Sequence, residues 1–124
     1  MESSLDPSQK TVLIVEDEPI IRMLATLLVE DAGLPWLESD GAGEALELLE
    51  THSEIGTVFT DVQMAGSMDG LQLSRLAFLR WPPLKFVIVS GNHVPGAADM
   101  PRGACFFAKP YNIGEITRAL HAFA

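Results

Sequence analysis

Two apolar runs constrain this chain most: TVLIVE at 11–16 and KFVIVS at 85–90. Both are rich in β-branched residues and do not alternate with polar ones, so each reads as a strand that must be covered on both faces. Strands of this kind belong in a parallel sheet between layers of helix. The rest of the sequence supplies the partners. PWLESD (35–40), GTVFTD (56–61) and GACFFAK (103–109) read as three further strands. Between them run amphipathic segments. One has Pro19 at a helix start, Ile21, Leu24 and Leu28 at helical spacing and Gly33 as a stop, and another is GEALELLE (43–50) with Ala45, Leu48 and Leu49 inward. A third has Leu73, Leu76 and Ala77 and ends near Trp81 and Pro82, and a last helix carries Ile113, Ile116, Leu120 and Phe123 on one face. Strand and helix alternate because a parallel neighbour is reached only through a crossover, which is right-handed. The fold class expected is α/β, an open, doubly wound, five-stranded parallel sheet. One crossover breaks the rhythm: NHVPGAADMPR, with Pro95, Gly96 and Pro101, leaves room for a shortened fourth helix or a loop.

At 124 residues the chain has room for one core, and with 48% hydrophobic and 20% charged residues it has the material for it. Its net charge of -9, with eight Lys and Arg scattered along the sequence, argues against direct binding to nucleic acid. Cys105 is the single cysteine. No internal disulfide can form, and a thiol in an apolar run reads as a small buried side chain in a cytoplasmic protein. The start, MESSLDPSQK, lacks the basic flank and apolar stretch of a signal peptide, and no apolar run approaches the roughly 20 residues that span a bilayer. Residues 1–10 are expected to form a short mobile arm and 11–124 the domain.

In open sheets of this type, sites form beyond the carboxyl ends of the strands. Those ends carry Glu16 and Asp17, Asp61, Ser90 and Lys109. Polar residues at strand ends are ordinary one at a time, but five together form a pattern. Three gathered carboxylates repel, so either their pKa values rise or a cation sits between them. Oxygen donors without His or Cys favour a hard ion, and an open site that keeps waters suits Mg²⁺. A hydroxyl from Ser90 and a positive charge from Lys109 would then hold phosphoryl oxygens, with Asp61 as the nucleophile.

The stretches VEDEP, FTDVQM followed by MDG, VIVSG and AKP together resemble the receiver domain of a two-component response regulator, over about residues 11–124. The resemblance implies the flavodoxin-like strand order 2-1-3-4-5. It makes Asp61 the phosphoacceptor and gives Mg²⁺ to Glu16, Asp17, Asp61 and the backbone carbonyl of Gln63. Ser90 and Lys109 would contact the phosphoryl group, Pro110 would follow a cis peptide, and Phe106 would sit at an aromatic switch position, with ordinary core packing as its alternative. The implied protein is a stand-alone cytoplasmic switch, monomeric or weakly dimeric. It takes phosphate from a histidine kinase or phosphotransfer protein and regulates a further protein, with self-catalysed phosphorylation and dephosphorylation but no other turnover.

Two departures from the family pattern stand out. The loop VQMAGSMDG is one residue longer than the common form and lacks the usual proline after Met64, and NHVPGAADMPR replaces a helix that normally helps to form the signalling face. Gln63 and Asn92 fall where the family tunes water access to the phosphoryl group. Competing readings are an aspartyl-phosphate phosphohydrolase, which Gln63 disfavours because a second Asp is usual two residues after the nucleophile, a phosphate sink or relay, and a flavin-binding or structural domain. His52, His93 and His121 are isolated and read as surface or helix-end residues.

Overall fold

Strands β1 (Thr11–Val15), β2 (Trp36–Ser39), β3 (Ile55–Asp61), β4 (Lys85–Ser90) and β5 (Cys105–Ala108) form one parallel sheet in the order β2-β1-β3-β4-β5. This is the doubly wound, flavodoxin-like order that the family resemblance implies. The computed structural model describes residues 10–66, 68–92 and 94–124. The arm expected at 1–10 therefore lies outside the described residues except for Lys10, and so does His93.

The sheet's two faces carry two cores. Leu13, Val15, Val58 and Ile88 point towards α2 (Ala42–Thr51) and α3 (Gly70–Arg80), where they meet Ala45, Leu49, Leu73 and Ala77. Val12, Ile14, Phe59, Val87 and Val89 point the other way, towards α1 (Pro19–Asp31) and α4 (Ile113–Phe123), and meet Ala25, Val29, Ile116 and Leu120. The alternation of side chains along each strand is thus spent on two different layers, which is why the sequence shows unbroken apolar runs.

The helices differ from the sequence reading in which face they bury. In α1 the buried residues are Ala25, Thr26, Leu28 and Val29, while Leu24 stays 51% exposed and Ile20 65%. Ile21 is also on the outside. The segment is apolar nearly all round, so periodicity alone could not pick the inner face, and the fold chose the side where Ala25 and Val29 lie against the sheet. Ile113, expected inward, is 63% exposed at the start of α4. Leu48, Leu76 and Phe123 are half-buried. Pro19 occupies the first helical turn as expected, and Gly33 adopts φ +79 just past the end of α1, where Leu34 N–H reaches back to Val29 O at 3.3 Å.

Among the described residues, the segment between β4 and β5 holds a single 3-10 turn, Ala97–Asp99, and no α-helix. Pro95 and Pro101 on either side deny an α-helix its hydrogen bonds. Cys105 is half-buried and unbridged, more accessible than the sequence suggested, because β5 is an edge strand.

Helix α3 begins under tight constraint. Asp69 caps it, accepting from Gln72 N–H at 2.8 Å and donating its own N–H to Gln72 Oε1 at 2.9 Å. Gly70 N–H then bonds Val62 O at 2.8 Å, pressing the helix start against the end of β3. A Cβ at Gly70 would lie 1.9 Å from the carbonyl oxygen of Asp61. Gly70→Ala is therefore expected to cost about 2–3 kcal/mol of stability in urea unfolding, because backbone on both sides must shift. A loss below about 0.5 kcal/mol would show that the two segments can part freely.

Candidate functional site

Parallel pairing sets the carboxyl ends of the strands side by side. Glu16 N–H bonds Ser39 O at 3.1 Å, Val62 N–H bonds Val89 O at 2.9 Å, and Lys109 N–H bonds Ser90 O at 2.9 Å. These bonds just past the strand ends put Glu16, Asp61, Ser90 and Lys109 in one row. Asp61 is the centre of it. Its carboxylate is nearly buried and accepts the Nζ of Lys109 on Oδ2 at 2.7 Å and the backbone N–H of Gln63 on Oδ1 at 3.2 Å. Burial works against the charge on Lys109, but the hydrogen bond to Asp61 and the negative charges of Asp61 and Glu16 outweigh it and raise its pKa. The lysine is the standing counter-ion of the site.

Glu16 behaves differently from its neighbour. Burial, with the charge and hydrogen bonding of Asp61, pushes its pKa up to about 7, against the opposing pull of Glu18 N–H at 3.1 Å and of Lys109. At neutral pH Glu16 is thereby divided between its neutral and ionised forms. The backbone of this turn is fixed by Arg22, whose Nη1 donates to Glu16 O at 3.0 Å while its Nε pairs with Glu38 at 2.9 Å.

Asp17 is drawn elsewhere. Its Oδ2 accepts the backbone N–H of Ala65 at 2.7 Å, across to the loop between β3 and α3. Among the described residues no three of His, Cys, Asp and Glu are gathered into a ready-made metal cage. The donors still fit Mg²⁺ in kind: they are hard oxygens, and that ion commonly binds through one or two carboxylates and keeps several waters. Gln63 meets Asp61 through its N–H, while the role expected of its carbonyl belongs to a bound ion.

Ser90 is buried at the end of β4, two positions along the row from Glu16. Phe106 is half-buried against the α2–α3 core, on the strand that delivers Lys109. The Lys109–Pro110 peptide is cis, as the resemblance implies. His52 and His121 lie apart from the site. His121 Nε2 meets Ala32 O at 2.7 Å and ties the end of α4 to the end of α1.

Three groups were missed by reading the sequence. Tyr111 packs edge-on against Phe59, with ring centroids 6.5 Å apart, and lines a small cavity with Glu16, Asp61 and Lys109. Burial, with the charges of Glu16 and Asp61 and against that of Lys109, raises the pKa of its hydroxyl. Its place two residues after Lys109 was the available signal. Arg22 could have been suspected as the one cation on an apolar helix. The Ala65 amide carries no side-chain signal at all.

Next to the site, Lys109, Pro110 and Tyr111 also border an open groove of about 710 Å³ whose other walls include Ile21, Leu24, Leu27 and Ile113. The exposed apolar face of α1 thus runs up to the lysine.

Comparison with known proteins gives a consistent picture. A family model described as response regulator receiver domain matches residues 12–121. The chain is 34% identical over 110 residues to the sensor kinase CckA of Brucella abortus, which covers 86% of this chain but 12% of the kinase. It is 27% identical to the response regulator receiver protein CpdR of the same organism, covering 90% of this chain and 93% of that one. Among solved structures, a response regulator receiver protein from Pseudomonas putida superposes with a TM-score of 0.83 at 27% identity, covering 92% of this chain and 97% of the other. One from Sinorhizobium medicae gives 0.84 at 25% identity, covering 93% and 94%.

The proton on Glu16 has a measurable consequence. A folded-state pKa raised from 4.5 to about 7 contributes stability that is full below pH 4.5 and lost as pH rises through 7. In metal-free buffer, the stability of the wild type relative to Glu16→Gln should therefore fall over this window, by up to about 3 kcal/mol. Urea unfolding at several pH values reads it, and a difference that does not vary with pH would show that Glu16 does not hold the proton.

Proposed function

The chain belongs to the response regulator receiver domain family, and on that premise we propose that it is a phosphoacceptor switch of a two-component system, with Asp61 as the acceptor. The observation that carries this is the position of Asp61: nearly buried at the end of a central strand, in contact with Lys109 Nζ at 2.7 Å and beside a protonatable Glu16. Such an acid is rigidly aimed and already has a cation at hand.

The reaction proposed is transfer from a phosphohistidine. A carboxylate oxygen of Asp61 attacks the phosphorus, the new P–O bond forms as the P–N bond breaks, and the imidazole leaves with the bonding pair. Lys109 offsets negative charge on the phosphoryl oxygens, and the Ser90 hydroxyl donates to one of them. Glu16, Asp17, Asp61 and the Gln63 carbonyl would hold Mg²⁺. When bound, the ion supplies charge neutralisation for the transferred group. The product adds charge and acceptor oxygens at one strand end, and movement of Ser90 towards them opens space for Phe106, which gives two packings of one surface.

The groove beside Lys109 supports a protein donor. Exposed Ile20, Met23, Leu24 and Leu27 on α1 offer an apolar face next to the acceptor, suited to a helical histidine kinase or phosphotransfer domain. The further target is another protein. The net charge of -9 disfavours nucleic acid, no helix among the described residues is long and apolar enough to cross a membrane, and the reading fits a cytoplasmic monomer or weak homodimer. Gln63, whose side chain accepts from Asn92 Nδ2 at 3.1 Å, puts an amide where a phosphohydrolase of the aspartyl-phosphate type would have its second acid. The domain is a switch and not an enzyme of turnover.

Incubation with acetyl phosphate and Mg²⁺ should add one phosphoryl group to the wild type and none to Asp61→Asn, read by intact mass. Undiminished labelling of the variant would place the acceptor elsewhere, and steady phosphate release from small phosphomonoesters would favour the hydrolase. Lys109→Ala should keep Mg²⁺ binding while losing most of the amide shifts that phosphorylation causes in β4 and β5, read by NMR. Loss of Mg²⁺ binding would mean that the lysine supports the ion site itself.

A further inference from the structure

We propose that the backbone N–H of Ala65 is a latch on Asp17, holding this acid on the β3–α3 loop until Mg²⁺ draws it away. The inference rests on the reading of Asp17 as an Mg²⁺ ligand. The bond is 2.7 Å long and joins residues 48 apart in sequence, from the turn after β1 to the loop after β3. Its acceptor is a carboxylate, so it belongs to the charge-assisted class. Meanwhile Asp17 is not gathered with Glu16 and Asp61 into a metal cage. An ion that demands octahedral geometry at about 2.0–2.1 Å needs its ligands to converge, so the hold of the loop on Oδ2 opposes any movement of Asp17 towards it.

The latch is a property of this loop's own composition. At the place after Met64 where the family usually has proline, which has no N–H, this chain has Ala65. The loop is also fastened at its two ends. Val62 N–H bonds Val89 O and Val62 O accepts Gly70 N–H, while Asp69 caps α3. Release of Ala65 would therefore loosen the middle of the loop without detaching α3. Binding of the ion and closure of the latch oppose each other, and by linkage whatever removes the latch must tighten the ion by the same factor.

The test uses the full chain and MgCl2. Ala65→Pro removes the donor, and Ala65→Ser replaces the side chain but keeps the N–H. Calorimetric titration should give about tenfold tighter Mg²⁺ binding for the proline variant, the effect of losing one modest charge-assisted bond. The serine variant should match the wild type. Amide exchange followed by NMR on the unmodified protein gives a second reading that does not depend on a variant folding: Ala65 N–H should be protected without the ion and exchange faster once Mg²⁺ saturates. If the wild type binds Mg²⁺ but the proline variant binds no tighter and Ala65 exchange does not respond, the latch is wrong and the ion site stands. If the wild type binds no Mg²⁺, the ion site fails and the latch with it.

Discussion

The position of β3 between β1 and β4 is the constraint on which the rest of the structure depends. Its register sets Val15 beside Thr60 and Val89 beside Asp61, so the neighbouring strands end within one residue of the acid. Slipping one residue would turn Asp61 into a core layer and bring Thr60 to the edge, because side chains alternate faces. Such a slip would also bury Thr57 and Thr60 differently and expose Val58 and Phe59 to the wrong helices. The apolar content of the strand and the placement of its terminal carboxylate are therefore one specification. Gly70 adds a third contact, since only a residue without Cβ lets α3 start against the Asp61 carbonyl.

At the resulting edge, each negative charge is matched by something lighter than a metal ion. Lys109 faces Asp61, burial and the charge of Asp61 push Glu16 towards its neutral form, and a backbone N–H faces Asp17. Three different chemical partners solve the same repulsion. Any divalent cation entering this edge must compete with all of them, so its affinity is the difference between its own coordination and these existing interactions.

Much of this was legible in the sequence, for reasons that can be stated residue by residue. Strands buried on both faces announce themselves as apolar runs, and the acids, Ser90 and Lys109 stand out because they end those runs. The family resemblance then supplied the strand order, which spacing alone does not fix. What stayed hidden was of two kinds. In α1 the apolar residues go nearly all round the helix, so the choice of Ala25 and Val29 for the core, and of Ile21 and Leu24 for the outside, depended on how closely the helix could approach the sheet. The bond from Ala65 to Asp17 is made by a backbone N–H, and every residue but proline has one, so only the missing proline hinted at it. Phe106 is half-buried against the α2–α3 core, which is the packing that the sequence offered as the alternative to a switch position.

The 3-10 turn between β4 and β5 sits in an otherwise irregular connection, and among the described residues β5 pairs only with β4. Its residues are at best half-buried, while β1, β3 and β4 are almost wholly interior. Local opening at this margin would displace the strand that leads into Lys109. In such an excursion the central acids would keep their places but lose their cation, so charge compensation would go before the alignment of Asp61. The sheet thereby separates the durability of Asp61's placement from that of its electrostatic partner.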